Sequence, residues 1–182
     1  MATDTTAERL DDPNDVRRAV KAFIDEHWDP SASLKEWLGV LADSGWAVPQ
    51  WPAQWFGKGL TNDLAAVAYD EFKKVGAVGP PAGLSRMLAA PTIISHGTDE
   101  QRQAYIRRIL VGEDAWCQLF SEPGAGSDLA SLQTRAELDG DEYVVNGQKV
   151  WTSGAQNAQR AILVARTDPT VPKHAGLSYF VV

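Results

Sequence analysis

The residues best placed to do chemistry in this 182-residue chain lie between Trp116 and Ser131, in the run WCQLFSEPGAGSDLAS. A mostly apolar stretch, Trp116 to Phe120, reads as a strand and leads into Ser121-Glu122-Pro123-Gly124-Ala125-Gly126-Ser127-Asp128. Gly124 and Gly126 flank an alanine, and glycines there permit positive φ and a close approach of backbone to a ligand. Consecutive N–H groups in such a turn form an anion nest, to which Ser127 adds a hydroxyl donor. The run is not a GxGxxG fingerprint opening a helix, because Pro123 and Asp128 are wrong for it and strands follow. Nor is it a P-loop, since it holds no Gly-Lys-Ser/Thr. By itself a glycine-rich loop after a strand is more often a plain connection.

A second segment gives the loop its meaning. Gly147 to Gly154, GQKVWTSG, places the indole of Trp151 two residues before the hydroxyl of Ser153. In an extended segment, alternation puts residues 151 and 153 on one face. One indole and one hydroxyl on a face suit a flat heteroaromatic ring with polar edge atoms.

Other residues invite less. Cys117 is the only cysteine, so the chain suits a reducing compartment, and it reads as a small apolar residue on a buried strand. His27, His96 and His174 are far apart and show no metal-ligand spacing; each reads as a surface or cap residue. Trp28, Trp37 and Trp46 sit on or beside helical patterns and read as core.

The elements that must position the two segments change character near Gly112, from helical to β. Asp12-Pro13 makes an N-cap followed by proline at the first helical position. Val16, Val20, Phe23 and Ile24 then recur at helical spacing. Ser33 with Glu36 and Thr98 with Gln101 form candidate capping boxes. Helices are expected from about Asp63 to Val75, from Ala82 to Ser95 with Gly97 as a left-handed cap, and from Thr98 to about Leu110. The Pro-, Gly- and Trp-rich stretch from Val48 to Leu60 is expected to be an ordered loop whose aromatic residues pack inward. Beyond Gly112, Thr134 to Leu138 alternates polar and apolar residues and Gly140-Asp141 can turn the chain. Tyr143 to Val145, Asn146-Gly147 and Lys149 to Trp151 read as a two-residue hairpin. Ala161 to Ala165 and Leu177 to Val182 read as further strands. Since the last of these ends the chain, the β region is expected to be incomplete at its C-terminal end. The expected organisation is an all-helical domain over residues 1–112 and a β-domain over 113–182.

Composition narrows the partners. A net charge of −7 with scattered Lys and Arg argues against a nucleic-acid binder. The densest basic group, Arg102, Arg107 and Arg108, reads as the wet face of a helix. The start MATDTTAERLDDPND is acidic and lacks the apolar stretch of a secretory leader, and no apolar run approaches a membrane span. A cytoplasmic protein without membrane insertion is expected.

At this point the sequence resembles the acyl-CoA dehydrogenase family. SEPGAGSD at 121–128 is similar to the family's flavin-loop signature nearly letter for letter, and NGQKVWTSG at 146–154 follows at the expected distance. Weaker resemblance runs from residue 14 to 182, including AAPTIISHGTDEQRQAYIRRILVGE at 89–113. The resemblance implies an α+β protein, with an all-α N-terminal helical domain followed by a truncated antiparallel β-barrel-like domain that holds FAD. It implies that Gln118, Leu119, Phe120 and Ser121 present backbone groups to the pyrimidine edge of the flavin, with the Ser121 hydroxyl near N1 and O2. Gly126 and Ser127 belong to the same loop, and Ser127 stands where the family contacts the pyrophosphate and the CoA end of the substrate. Trp151 is expected to pack on the flavin and Ser153 to bond near N5, with Thr152 between them also on the cofactor. Met87, Leu88 and Ile93 fall on the helix that lines the family's acyl pocket, and at helical spacing they fit a plain core equally well.

The activity so implied is α,β-desaturation of an acyl-CoA thioester, in which a carboxylate takes the α-proton and a β-hydride passes to the flavin. The family's glutamate base belongs to a C-terminal helical domain, so no catalytic base is assigned here. Glu122 is taken as structural and Asp128 as an anchor for nearby N–H groups. The implied partners are an acyl-CoA, an electron-transfer flavoprotein or similar acceptor, and further subunits in a homo- or hetero-oligomer. The chain alone is expected to be inactive. Gln118, Leu119 and Phe120 are bulkier or more polar than is common in the family, and the loop WFGKG at 55–59 lacks its usual double glycine; both bear on the acyl group accepted. Two other readings stand beside the enzyme: a non-catalytic flavin- or acyl-CoA-binding subunit of a hetero-oligomeric dehydrogenase, and a helical interaction protein whose loop binds nothing.

Overall fold

The computed structural model describes residues 10–182, so the leaderless start expected from the sequence lies largely outside the described residues. By its internal contacts the chain divides into two units, Met1–Pro81 with Ala90–Glu113, and Ala82–Ala89 with Asp114–Val182.

The first unit is built from α1 (Pro13–His27), α2 (Leu34–Asp43), α3 (Asn62–Lys74), α4 (Ala90–His96) and α5 (Asp99–Val111). Local chemistry sets their starts. The Asp12 carboxylate accepts from the N–H groups of Asn14 and Asp15, and Pro13 follows it in the helix, where a missing N–H costs nothing. At α5 both halves of the capping box form, Gln101 N–H to Thr98 Oγ1 at 3.2 Å and Thr98 N–H to Gln101 Oε1 at 2.9 Å. At α2 only half does: Ser33 Oγ accepts from Glu36 N–H, while the Glu36 carboxylate takes the Ser33 hydroxyl at 2.6 Å. Gly112 closes α5 with φ of 71°. Gly97 does not take the left-handed cap expected of it; a Cβ there would lie 2.6 Å from the Ile93 carbonyl, so close approach is what its lack of a side chain permits.

The apolar stripe of α1, Val16, Val20 and Ile24, packs with Trp37, Leu38 and Leu41 of α2 and Phe72 of α3. Trp37 is 3% exposed and its indole N–H reaches the Val78 carbonyl at 2.6 Å, so it is core, as its helical position implies. Trp51 and Phe56 of the ordered loop pack against the same core. Two arginines expected on a wet face are in fact fasteners. Arg107 forks onto Asp43 at 2.7 and 2.8 Å, tying α5 to α2, and Arg102 reaches the Ile94 carbonyl at 3.0 Å.

The expected helix from Ala82 to Ser95 is not continuous α-helix. Ser85–Ala89 is a π-helical turn that falls with the second unit, and α-helix resumes at Ala90.

The second unit holds a five-stranded sheet: β1 (Trp116–Leu119), β2 (Arg135–Asp139), β3 (Glu142–Asn146), β4 (Arg160–Arg166) and β5 (Leu177–Val181). The order of helices followed by strands is as expected, but the sheet is mixed rather than purely antiparallel, and it is open. β4 is central. β5 runs antiparallel along residues 162–166 on one side. On the other side β1 pairs with residues 160–163 and β2 with Arg166, both parallel to β4. A parallel pairing follows because the chain must cross back between β1 and β4, and the β2–β3 hairpin lies within that crossover. Ala136, Leu163 and Ala165 form its buried cluster, with Leu119 and Phe180 against it.

The hairpin itself corrects the sequence reading. β2 and β3 turn at Gly140-Asp141, with Asp139 opposite Glu142 and φ of 63° at Gly140. Asn146-Gly147 does not turn a hairpin, and residues 147–153 form no strand. A Cβ on Gly147 would collide with Thr134, so that glycine serves close packing.

Candidate functional site

The loop after β1 is built around one carboxylate. Glu122 and Ala125 exchange both backbone hydrogen bonds, at 2.8 and 3.1 Å, which closes a tight turn over Pro123 and Gly124. Glu122 Oε2 accepts from Gln133 N–H at 2.6 Å, and Oε1 accepts from Thr134 N–H and from Lys149 Nζ, each at 2.9 Å. Lys149 Nζ also reaches the Phe120 carbonyl at 2.9 Å. Burial would push this carboxyl up, but hydrogen bonds from Thr134, Gln133 and Lys149 outweigh it and hold the pKa at about 2. Glu122 is therefore a fixed, ionised anchor. It would make a poor general base at neutral pH, where a base is best matched near 7.

Lys149 does the work that brings the two sequence segments together, and Val150 N–H adds a bond to the Ser121 carbonyl at 2.8 Å. Sequence reasoning passed over Lys149 although it lies inside the matched run, because a lysine between a glutamine and a valine reads as solvated. The available signal was Glu122, a carboxylate in an otherwise apolar strand-to-loop corner that needed a cation.

The glycines behave differently from expectation. Neither Gly124 nor Gly126 takes a positive φ, so the left-handed turn expected of them is absent. Both have open space where a side chain would stand, which leaves the loop backbone accessible from outside. Ser127 beside them is exposed, as are Gly126 and Asp128. Asp128 anchors the loop through side chains rather than N–H groups, accepting from the Ser131 hydroxyl and from Lys173 Nζ, each at 2.6 Å. Arg166 holds the stretch behind it by donating to the carbonyls of Ala130 and Leu132.

Gln118, Leu119, Phe120 and Ser121 are half-buried at the end of β1. β1 is an edge strand, so one side of its backbone is not paired within the sheet. Cys117 is buried on the same strand, and burial pushes its thiol up, consistent with a packing role.

Trp151 is the outlier. Its side chain is 89% exposed and its φ is 60°, a left-handed conformation unfavourable for a bulky residue. Ser153 N–H bonds the Trp151 carbonyl at 3.1 Å, so the segment is tightly turned. The structure does not have the strand alternation expected to put residues 151 and 153 on one face. What it does show is an indole held out from the surface two residues from an exposed hydroxyl, with Thr152 half-buried between them. The turn is fastened behind: Gln159 and Arg160 donate their N–H groups to the Ala115 carbonyl, and Gln159 Oε1 takes the Ala115 N–H. Phe56 is the only other non-glycine residue with positive φ among the described residues. Strain of this kind costs about 1–3 kcal/mol and clusters at ligand-binding sites.

The resulting site has an open strand edge, an accessible loop backbone, two exposed serine hydroxyls and a projecting indole. Among the described residues no group of three metal-ligating side chains occurs and no helix is long and apolar enough to cross a membrane. Met87 is exposed, Leu88 half-buried and Ile93 buried, so the three do not share one environment.

Known proteins match over both units. The N-terminal domain of acyl-CoA dehydrogenases matches residues 11–113, and their middle domain matches residues 117–182. Acyl-CoA dehydrogenase FadE34 of Mycobacterium tuberculosis is 46% identical over 143 residues, covering 79% of this chain and 20% of that protein. A chain of the ChsE4-ChsE5 complex from Mycobacterium tuberculosis matches at 35% identity with a TM-score of 0.65, covering 100% of this chain and 48% of that one. The Tcur3481-Tcur3483 steroid ACAD matches at 33% identity with a TM-score of 0.65, covering 96% and 49%. The chain therefore spans a fifth of FadE34 and about half of each of these solved chains.

Proposed function

The chain belongs to the acyl-CoA dehydrogenase family, and from that premise we propose that it forms part of an FAD-dependent enzyme that desaturates an acyl-CoA thioester between its α and β carbons. The observation that carries the reading is Trp151, strained and exposed beside a loop whose backbone is open. An aromatic plane in water, held by a costly backbone conformation, calls for a flat partner.

The residues fit a flavin nucleotide. Backbone groups of Gln118 and Leu119 on the free edge of β1, and those of Phe120 and Ser121 just beyond it other than the carbonyls taken by Lys149 and Val150, would meet a pyrimidine edge. Gly126 and Ser127 offer an uncrowded backbone and a hydroxyl to a pyrophosphate, and Ser127 also to the CoA end of the substrate. Trp151 would cover the ring system, with Thr152 and Ser153 at its polar edge. Bound there, FAD would supply the acceptor for the β-hydrogen and its electron pair. The task of this chain is to hold the ring, keep one face dry and fix its edge by hydrogen bonds. Glu122 stays ionised and fully engaged, so it is not the base that takes the α-proton. An electron-transfer flavoprotein or similar acceptor would then remove the electrons. The similarity to a steroid ACAD makes bulky ring-bearing thioesters the first to test.

Equilibrium dialysis of the 182-residue chain with FAD, followed by dye reduction with a panel of acyl-CoA thioesters, tests this. We expect FAD binding without turnover. Turnover by this chain alone would mean that one of its own carboxylates abstracts the proton; no FAD binding, alone or with partner chains, would remove the reading.

A second reading has one observation in its favour. The match to a chain of the ChsE4-ChsE5 complex suits a non-catalytic flavin- or acyl-CoA-binding subunit of a hetero-oligomer. It predicts that activity reconstituted with a partner survives loss of the Trp151 indole.

A further inference from the structure

Arg86 stands on the π-helical turn Ser85–Ala89, in the same unit as the sheet. Its residue is half-buried and its Nε is fully buried without a hydrogen-bond partner. It forms no ion pair among the described residues. Arg160 Nε is likewise buried without a hydrogen bond, but it lies 3.9 Å from the Asp114 carboxylate. Arg18, Arg102 and Arg107 reach carboxylates, Arg166 reaches carbonyls, and Arg135, which has no such partner, is exposed. A guanidinium whose Nε is cut off from both water and protein acceptors is costly, and buried polar groups are satisfied in nearly all cases. π-Helical turns, for their part, are frequent at functional sites.

The surroundings on the same turn are open and partly apolar. Gly83 has φ of 120° with nothing within 4 Å of where a Cβ would stand. Its carbonyl accepts from Met87 N–H at 2.9 Å, and Met87 is 73% exposed. A half-buried arginine with its Nε unpaired, next in sequence to an exposed thioether, suits an oxyanion joined to an apolar body.

We propose that Arg86 is a specificity-determining receptor for a carboxylate or phosphate carried by the thioester substrate, gripped by its planar fork of donors. A guanidinium binds either oxyanion through two parallel N–H···O bonds, which a lysine ammonium cannot reproduce. The anion has two sources, a carboxylate at the far end of the acyl group or a phosphate of CoA. The proposal rests on the thioester reading for the source of the anion, and on Arg86 itself for the receptor.

Calorimetric titration of wild type, Arg86→Gln and Arg86→Lys with hexanoyl-CoA, adipoyl-CoA, hexanoyl-pantetheine and free adipate separates the cases, with circular dichroism to confirm folding. Loss of adipoyl-CoA affinity in Arg86→Gln by roughly ten- to a hundredfold, with hexanoyl-CoA unchanged, assigns the acyl carboxylate. Equal loss for both CoA esters, with hexanoyl-pantetheine unchanged, assigns a CoA phosphate. Arg86→Lys should recover only part of either loss. If all four ligands bind folded Arg86→Gln as they bind wild type, or wild type binds none, Arg86 is not a receptor. Arg86-dependent binding of adipate with no binding of any thioester would keep the receptor and remove the thioester function.

Discussion

Lys149 and Glu122 form a buried ion pair, Nζ to Oε1 at 2.9 Å, between side chains only 8% and 7% exposed. It joins the two segments that carry the proposed cofactor site. Its worth as a fastener is the first thing to measure.

Glu122→Gln should cost about 3–5 kcal/mol, because it leaves the Lys149 ammonium buried without a counter-charge. Lys149→Met should cost less, since the carboxylate keeps its bonds from Gln133 and Thr134 N–H. Urea unfolding of both variants at neutral pH reads the difference. A Glu122→Gln loss below about 1 kcal/mol would show that the pair does not hold the loop.

Acid should release the same fastener. The folded pKa of Glu122, about 2, lies below its ordinary 4.5, so its stabilisation is complete above 4.5 and disappears as pH falls from there toward 2. Asp43 and Asp128, held low mainly by hydrogen bonds from Arg107 and Lys173 respectively, add to the slope. The Glu122 share is isolated by comparing wild type with Glu122→Gln: their urea midpoints should converge through that window. Parallel curves would mean that Glu122 does not titrate there.

Trp151 and Trp37 should behave as opposites. Trp37→Ala empties a core position and should lower stability by about 3–5 kcal/mol. Trp151→Gly removes an exposed indole and relieves a left-handed backbone, so stability should stay level or rise by about 1 kcal/mol. FAD affinity should fall roughly two- to twelvefold in Trp151→Gly, for a loss of about 0.5–1.5 kcal/mol of ring contact. It should hold in Trp37→Ala at temperatures where that variant is folded. Calorimetry with FAD dialysis decides; equal flavin retention in the two would take Trp151 out of the site.

The serines test which end of the cofactor lies where. In the reconstituted enzyme, Ser153→Ala should slow flavin bleaching by saturating substrate about two- to twelvefold, the worth of one neutral hydrogen bond of about 0.5–1.5 kcal/mol. Ser127→Ala should weaken binding and leave bleaching alone, because a phosphate contact is equally strong before and during the reaction. Rapid mixing that found the reverse would turn the assignment end for end.

Features fixed by neighbours a few residues apart were legible in the sequence. Asp12 with Pro13, and Thr98 with Gln101, cap their helices as read because every group involved lies within one turn. The turn at Gly140 was also legible. Asn146-Gly147 misled because it carries an equally strong turn signature, and its true constraint, the Thr134 side chain, is distant in sequence. The two site segments were found by resemblance, yet their geometry was not: alternation presumes a strand, and Trp151 is in a turn. Lys149 and Arg86 were missed for a common reason. A cation's meaning depends on what surrounds it, and that is set by packing rather than by its own spacing.

The parallel pairing of β1 with β4 also sets a timetable. Ala115 and Trp116 must wait for Gln159 and Arg160, 44 residues later, before β1 has a partner. Closing so long a loop adds little to the entropic cost at equilibrium, but non-local pairings of this kind form slowly. At about 5–20 residues per second of synthesis, β1 and its glycine loop leave the ribosome several seconds before the strand that seats them. The helices before Glu113 have been synthesised by then, and the proposed cofactor site is still an unpaired edge. An edge exposed for those seconds is where a nascent chain of this protein is most open to mispairing.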